Sequence, residues 1–174
     1  MPEILRLLDP TDAEAFSRLR RQAYQTDPDA FAGLPTDEPT FEPALVAERI
    51  RAGSGGSSVI VGAFTPELMG SLGVVRDEPA RCRHKARLWG FYVAPSQRRH
   101  ALGRRLLSEA VAHGRAIRVE QLYLKVSSAC VAAIAAYERF GFCVFGREPQ
   151  ALKGPIGYSD ELHMVLFLDR VAAG

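Results

Sequence analysis

Residues Val93 to Leu107 read V-A-P-S-Q-R-R-H-A-L-G-R-R-L-L, and this stretch joins a strand-like run to a helix. The β-rich run Leu88 to Val93 stops at Pro95, which cannot donate a hydrogen bond to a strand partner. From Leu102 the apolar residues recur at the spacing of an amphipathic helix, which Gly114 ends. The sequence therefore predicts a strand, a short polar turn and a helix in immediate succession.

The start of this helix is predicted to bind an anion. The first N–H groups of a helix lack partners within it and lie at the positive end of its dipole. Ala101 and Gly103 add little side-chain bulk, so a phosphate can approach the backbone. Guanidinium groups suit phosphate oxygens, and four surround the turn: Arg98, Arg99, Arg104 and Arg105. An ordinary turn beside a solvated helix face is the alternative interpretation.

The same run is similar to the acyl-CoA pyrophosphate loop of the GNAT superfamily of N-acetyltransferases, whose usual pattern is Q/R-x-x-G-x-G/A. The resemblance implies acetyl-CoA as co-substrate. The residues it implies as binding this co-substrate are Phe91, Tyr92, Val93, Arg98, Arg99, His100, Ala101, Leu102, Gly103 and Arg104. Two positions depart from the pattern, since Ala101 replaces the middle glycine and Arg99 stands where a glycine often follows the arginine. We expect Ala101 to be tolerated if its φ stays negative.

A second segment, Ala132 to Phe142, resembles the GNAT signature N-x-x-A-x-x-L-Y-E-K-x-G-F. The matching residues are Ala133, Tyr137, Glu138, Gly141 and Phe142. Tyr137 is then the implied general acid, because a phenol can donate a proton to a leaving thiolate and still be protonated at neutral pH. A core tyrosine on an apolar helix is the alternative. Cys130 occupies the place of an asparagine that often contacts coenzyme A, so this contact is expected to weaken, to come from Ser127 or Ser128, or to be absent.

The remaining patterns predict an α/β (α+β) order of elements. They are a strand Ile4–Leu8, a helix from a Thr11-x-x-Glu14 capping box to Gln25, a helix Ala44–Arg51, a hairpin of Ser58–Phe64 and Leu68–Arg76, a strand Gln121–Val126, a helix Val131–Phe140 ended by Gly141, and strands Phe142–Gly146 and Glu161–Leu168. The resemblance spans Ile4 to Leu168. It implies one GNAT-like domain over residues 1–174, with a mixed, mainly antiparallel sheet of about six to seven strands and about four flanking helices. One parallel pair is expected to splay at the acyl-CoA site.

Composition narrows the class of protein. A chain of 174 residues, 47% hydrophobic and 24% charged, fits one globular domain. Its N-terminus has no long apolar core, which predicts neither a signal peptide nor a membrane span and hence a cytoplasmic location. Three cysteines without Cys-x-x-Cys spacing predict free thiols and no metal site: Cys82, Cys130 and Cys143.

Charge is unevenly distributed along the chain. Residues 1–50 hold ten acids and five bases, whereas residues 76–118 hold eleven bases and three acids. A basic belt can contact nucleic acid, but the phosphates of coenzyme A explain it equally well, so we do not expect nucleic acid as the primary ligand. A homodimer is compatible with this class of protein.

The acceptor is expected to be a primary amine of unidentified structure, attacked directly in a ternary complex. The loop Thr26 to Pro43 is a candidate wall of its pocket, or else a surface connection with two phenylalanines in the core. The acids of this loop would favour a cationic amine. An acyl-CoA-binding sensor or interaction module without turnover is the alternative function, to which Cys130 and Arg87 point.

The sequence does not assign the general base to one residue. Many members of the superfamily place an acid six residues before the loop valine, and here that residue is Arg87, which cannot accept a proton. The candidates are His84, His163, Asp160 and Glu161, or no enzyme base if the amine arrives neutral. Alternation with apolar neighbours predicts that His163 is a core histidine, and the polar turn predicts that His84 lies on the surface.

Overall fold

A computed structural model describes residues 3–53 and 55–168, and its central feature is one mixed sheet. The strands are β1 (Ile4–Leu7), β2 (Ser58–Phe64), β3 (Leu68–Arg76), β4 (Lys85–Val93), β5 (Gln121–Ser127), β6 (Cys143–Gly154) and β7 (Gly157–Phe167). Their order across the sheet is β1-β2-β3-β4-β5-β7-β6, and the β4–β5 pair alone is parallel among the described strands. The predicted sheet architecture is confirmed.

In the described part of the chain, four α-helices cover the two faces of this sheet: α1 (Ala13–Thr26), α2 (Pro43–Ala52), α3 (Leu102–Ala116) and α4 (Val131–Phe140). Helices α3 and α4 pack on one face around a core that includes Leu72, Leu88, Leu106, Leu122 and Met164. Helices α1 and α2 pack on the other face around Phe16, Leu19, Val46, Ile60 and Tyr92. The apolar stripe of each helix therefore lies against the sheet, as an amphipathic pattern requires. No helix in the described ranges is both long and apolar enough to span a membrane.

A bulge in β4 interrupts the alternation of its side chains between the two faces of the sheet. Ser71 of β3 pairs with Tyr92, but Gly73 pairs with Trp89, so the register shifts by one residue between them. Gly90 lies in this interval with φ at 61°, in the left-handed region that glycine adopts without strain. As a result Trp89 and Tyr92 both face the α1/α2 side, while Phe91 lies against the opposite core.

Strands β4 and β5 part soon after they meet. Their pairing is limited to Lys85–Arg87 on β4 and Gln121–Tyr123 on β5. Beyond these residues the edge of β4 that faces β5 has no strand partner among the described residues. The predicted splayed parallel pair is thus confirmed.

The structure extends several predicted elements. Strand β4 begins at Lys85, not Leu88, and β6 and β7 form a hairpin that is longer than predicted at its turn end. The missed residues, about 147 to 160, are mostly exposed, so no apolar alternation marks them. Polar contacts hold them instead: Arg147 donates to the Asp160 carboxylate at 2.6 Å, and the Gln150 N–H donates to it at 2.8 Å.

The predicted Thr11–Glu14 capping box is wrong. Asp9 caps a short 3-10 turn (Pro10–Asp12) that precedes α1, because its carboxylate accepts from the Thr11 N–H at 2.8 Å. The Asp12 carboxylate in turn accepts from the Asp9 N–H at 2.9 Å. Pro10 suits the first position of such a turn, where no N–H donor is needed. The reciprocal cap therefore begins two residues earlier, at Asp9, and is built from two aspartates.

Candidate active site

The turn before α3 presents a row of free backbone donors. None of the N–H groups of residues 99–104 donates to another described residue, and the first bond of the helix runs from the Arg105 N–H to the Ala101 carbonyl at 3.1 Å. Unpaired N–H groups at a helix N-terminus bind anions. The turn and helix start thus form an anion cradle, a name used below for residues 99–104.

The backbone of the cradle differs from expectation at Ala101. Its φ is 60°, so the expected negative φ is wrong, and Arg99 is also left-handed with φ at 69°. These are the two positions where the sequence departs from the glycine pattern. A side chain in this region costs about 1 to 2 kcal/mol. The chain must turn sharply here from strand to helix, and it does so without the residue that makes the turn free of strain.

Arg98 is turned away from the cradle. Its Nε donates to the Val93 carbonyl at 2.9 Å, and its Nη2 lies 2.5 Å from the Asp27 carboxylate at the end of α1. Its own backbone N–H donates to the Pro95 carbonyl. Arg98 therefore ties the turn to the end of β4 and to α1.

The other cradle side chains divide by position. Arg99, His100 and Arg104 are exposed, and none of them forms an ion pair with a described residue. Leu102 is 1% exposed and belongs to the core, so only its backbone faces the cradle. A Cβ at Gly103 would lie 3.1 Å from Cζ of Phe91, which means that this glycine lets α3 pack closely on β4.

Tyr137 lies beside the opening between β4 and β5. Its ring centroid is 5.6 Å from that of Phe91 and 5.6 Å from that of Phe142. Burial raises the pKa of the Tyr137 phenol, and the nearby Cys130 sulfur raises that pKa further. The hydroxyl has no hydrogen-bond partner among residues 3–53 and 55–168. A protonated phenol without a partner therefore lies next to the opening, although the ring also packs in the core as the alternative interpretation expected.

Phe91 and Val93 line the same side, whereas Tyr92 does not. The Tyr92 side chain is buried on the opposite face, and its hydroxyl lies 2.9 Å from the Thr26 hydroxyl. Tyr92 can therefore contribute to binding only through its backbone.

A short segment, residues 27–31, connects the two sides of the opening. Asp27 pairs with Arg98 on the β4 side, as described above. On the β5 side the Cys130 thiol donates to the Asp29 carbonyl at 3.8 Å. Burial raises the pKa of this thiol, and Asp29 and Asp27 raise it further. Cys130 is therefore a protonated thiol at neutral pH. Nearby, the Ser127 hydroxyl accepts from the Ala129 N–H at 3.3 Å.

The base candidates fall in different places. His163 Nε2 lies 3.1 Å from the Glu148 carboxylate, with a side chain that is 26% exposed, so the expectation of a core histidine is wrong. Lys125, opposite His163 across β5 and β7, pairs with Glu148 at 3.0 Å and with Glu161 at 3.7 Å. Asp160 is occupied by Arg147 and Gln150. His84 precedes β4, about 30 Å along the chain from the end of that strand at an ordinary strand rise.

The loop between α1 and α2 is built around a buried ion pair. Glu38 accepts from Arg20 Nη2 at 3.0 Å, from the Tyr24 hydroxyl at 2.6 Å and from the Thr40 hydroxyl. Phe31 stacks on the Tyr24 ring at 4.3 Å. Burial alone would raise the pKa of Glu38, but these hydrogen bonds and the Arg20 charge hold it at about 2.

Two of the acids of this loop are therefore already paired, whereas Asp29 and Asp37 are exposed and form no ion pair with a described residue. Glu38 is neutralised by Arg20, and Asp27 by Arg98. Sequence reasoning missed Arg20 as a site residue. The available signal was its place on the apolar face of α1, four residues after Phe16 and next to Leu19. A cation in such a position is buried only with a partner.

The sequence matches one family along most of its length. The acetyltransferase (GNAT) family model matches residues 15–142. The chain therefore belongs to the GNAT family of acetyltransferases, whose co-substrate is acetyl-CoA. No curated protein matches the sequence.

Solved structures show the same fold. A GNAT acetyltransferase from Streptococcus pneumoniae has a TM-score of 0.84 at 22% identity, over 96% of this chain and 99% of that one. The protein yncA from Salmonella typhimurium, solved with its cofactor acetyl-CoA, has a TM-score of 0.84 at 21% identity, over 98% and 96%. A phosphinothricin acetyltransferase from Sinorhizobium meliloti, in complex with acetyl-CoA, has a TM-score of 0.82 at 20% identity, over 97% and 89%. At these identities the likeness is one of fold.

Proposed function

We propose that the chain transfers an acetyl group from acetyl-CoA to a primary amine by direct attack, with both substrates bound at once. The observation that carries this proposal is the parting of β4 from β5 beside the buried Tyr137 phenol. An extended pantetheine arm can pair with an open strand edge in the manner of an added strand. A leaving thiolate at that edge needs a proton donor, and the phenol is protonated there.

The anion cradle fits the phosphates of acetyl-CoA. Free N–H groups and the exposed guanidinium groups of Arg99 and Arg104 can donate to pyrophosphate oxygens. Arg98, in this proposal, is a positioning residue, because its Nε, its Nη2 and its backbone N–H already donate to Val93, Asp27 and Pro95. His100 and Cys130 border the bound molecule. Phe91 and Val93 line the channel, while Tyr92 takes part through its backbone.

Each proton in the reaction has a proposed route. Acetyl-CoA supplies the acetyl group as a thioester. When the amine nitrogen bonds to the acetyl carbon, the carbon–sulfur bond breaks and the sulfur receives a proton from Tyr137. The amine nitrogen loses one proton, which His163 accepts through water. Exchange with solvent then removes this proton from His163 and returns one to Tyr137. Of the base candidates, His163 is favoured because it faces the acceptor side at the level of the opening and is partly exposed.

Two measurements test the proposal. Calorimetry should detect acetyl-CoA binding that weakens with added salt and in Arg104→Gln, because both remove charge attraction to the phosphates. An assay for free thiol should then detect coenzyme A release with a suitable amine. Absence of binding at millimolar acetyl-CoA would contradict the proposal.

The sensor alternative predicts a different pair of results. Arg87 occupies the position of the usual acid, and Cys130 that of the usual asparagine. If the chain binds acetyl-CoA but a broad amine panel releases no thiol above hydrolysis, the sensor interpretation replaces the enzyme. We expect turnover, because the phenol is kept protonated beside the opening.

A further inference from the structure

Three arginines meet on the α1/α2 side of β4, where the proposed acceptor would lie. They are Arg20 of α1, Arg49 of α2 and Arg87 of β4, called here the arginine trio. The Arg49 guanidinium carbon lies 3.9 Å from the centre of the Trp89 ring. Arg87 is the last β4 residue that pairs with β5, and it shares a face with Trp89 two positions further on. Arg87 therefore lies at the base of the opening, and Arg49 is close enough to both Arg87 and Arg20 to be repelled by them.

The trio carries more positive charge than the protein neutralises. Arg20 pairs with Glu38, but Arg49 and Arg87 form no ion pair or hydrogen bond in the described part of the chain. Asp77, which follows β3, is taken by Lys85 at 3.5 Å and by the Tyr123 hydroxyl at 2.9 Å. Burial lowers the pKa of Arg49, and repulsion from Arg87 and Arg20 lowers it further, against a partial offset from Glu38. Three cations thus share one anion.

One donor of the trio is buried and unused. Arg20 is 4% exposed, and its Nη1 has no hydrogen-bond partner within residues 3–53 and 55–168. A Cβ built on Gly90 would lie 3.4 Å from this nitrogen, so Nη1 points at the β4 bulge beside Trp89. A buried guanidinium nitrogen without an acceptor is costly. An anion bound beside the bulge would offset that cost through its charge.

We propose that the acceptor amine also carries a carboxylate, which Arg49 and Arg87 hold beside Trp89. Guanidinium groups form paired hydrogen bonds with carboxylates, and these are strong where water is scarce. An amino acid or related molecule would then place its carboxylate on the trio and its amine at the opening. A polyamine would bring further positive charge to an unbalanced cluster. Arg87, which stands where many members of the superfamily have an acid, would then select acceptors that carry a carboxylate.

This inference rests on the proposed function, and the test separates the two. Thiol release is measured for a panel of amino acids, each paired with its own α-amide, and for spermidine. We expect turnover with carboxylates and a loss of about 10- to 100-fold in kcat/KM for the matching amide, the usual size for a charge-assisted hydrogen bond. Arg87→Gln and Arg49→Gln should remove the preference for the acid over the amide. The KM for acetyl-CoA should not change.

Arg51→Gln is the matched control. Arg51 lies two residues after Arg49 on the same helix and is exposed, with no contact to Trp89. This variant should keep the full preference. Turnover that is equal for acids and amides, or confined to spermidine and other amines without a carboxylate, would overturn the inference and leave the acetyltransferase proposal intact.

A second readout does not need turnover. Trp89 is the one tryptophan of the chain, so its fluorescence reports on the trio directly. In the presence of coenzyme A, titration with the amino acids should give a saturable change that the amides and spermidine do not give. Arg87→Gln carries this test, since Arg49→Gln alters the surroundings of the indole by itself. An absent response, or an equal response to acids and amides, would contradict the inference even for an enzyme found to be inactive.

Discussion

Single side chains at the opening carry the proposed chemistry, and Tyr137 is the first to test. Tyr137→Phe removes only the hydroxyl, which has no hydrogen bond to lose among the described residues. We expect folding and acetyl-CoA affinity to change little, and the rate to fall by about 10² to 10⁴, the usual contribution of a positioned acid. Thiol release across a range of pH, with calorimetry and a thermal midpoint, checks this.

Two outcomes would exclude this role for Tyr137. A variant with wild-type turnover would show the hydroxyl to be a bystander. A variant that melts markedly lower would show that the phenol matters for packing, as a core tyrosine does.

His163 is the second residue to test, with His84 as its control. His163→Gln removes the group that would take the proton of the amine, so we expect kcat/KM for the amine to fall while acetyl-CoA affinity is kept. His84→Gln should leave kcat/KM unchanged, since His84 precedes β4 at the end far from the opening. An unchanged kcat/KM for His163→Gln would mean that the amine loses its proton without this base.

Ala101 offers a test of backbone strain. Because the φ of Ala101 is 60°, Ala101→Gly should relieve about 1 to 2 kcal/mol of backbone strain in the folded protein. Glycine also gives the unfolded chain more conformational entropy, which opposes this gain by a similar or smaller amount. We expect the free energy of unfolding to stay level or to rise by up to about 1 kcal/mol. Ala112→Gly, at an exposed position inside the same helix, should instead lose about 1 kcal/mol. Denaturant unfolding measures both variants. If both lose the same free energy of unfolding, the backbone at Ala101 is not strained.

At the scale of elements, the loop between α1 and α2 depends on one buried ion pair. Glu38 has a folded pKa of about 2, below its ordinary 4.5. Its contribution to stability is therefore complete above about pH 5 and is lost as the pH falls toward 2. A shift of this size corresponds to about 3 kcal/mol. Chemical unfolding of the wild type should accordingly show declining stability through this interval.

The variant Glu38→Gln should flatten that decline. It leaves the buried Arg20 without its counter-charge, so we expect it to lose about 3 kcal/mol or more at neutral pH. The exposed neighbour Asp37→Asn should behave as the wild type does at every pH. A Glu38→Gln curve that runs parallel to the wild-type curve would show that the acid dependence originates in other carboxylates.

Elements differ in how far the sequence predicts them, and the reason is periodicity. Helix α3 and strands β2 and β3 carry regular apolar spacing and were predicted to within a residue or two. The outer hairpin of β6 and β7 was not, because Arg147 to Asp160 has little apolar alternation and is held by polar contacts across the strands. The predicted cap of α1 was wrong because Asp9 and Asp12 together cap the turn that begins at Pro10, ahead of the Thr11–Glu14 pattern.

In the candidate site, the sequence predicts residues that belong to one continuous motif, but it does not predict residues that the fold brings together from separate elements. The cradle and Tyr137 belong to continuous motifs, so the sequence alone points to them. The arginine trio does not, because Arg20, Arg49 and Arg87 come from three elements separated by 29 and 38 positions in the sequence. The same holds for the pairing of Arg20 with Glu38. The left-handed backbone at Ala101 was missed because the residue type there predicts the opposite sign of φ.

At the scale of the whole molecule, the opening between β4 and β5 joins two faces of the sheet that otherwise have separate cores. The cradle lies where α3 begins, and the arginine trio lies under α1 and α2. In the proposed reaction, coenzyme and acceptor would thus bind from opposite faces of the sheet. They would be in contact only where their reactive atoms meet. Neither has to leave before the other arrives, so initial rates should give intersecting double-reciprocal lines, and coenzyme A should not compete with the acceptor. Parallel lines would instead require an acetylated enzyme, for which neither Tyr137 nor the protonated Cys130 is a suitable nucleophile.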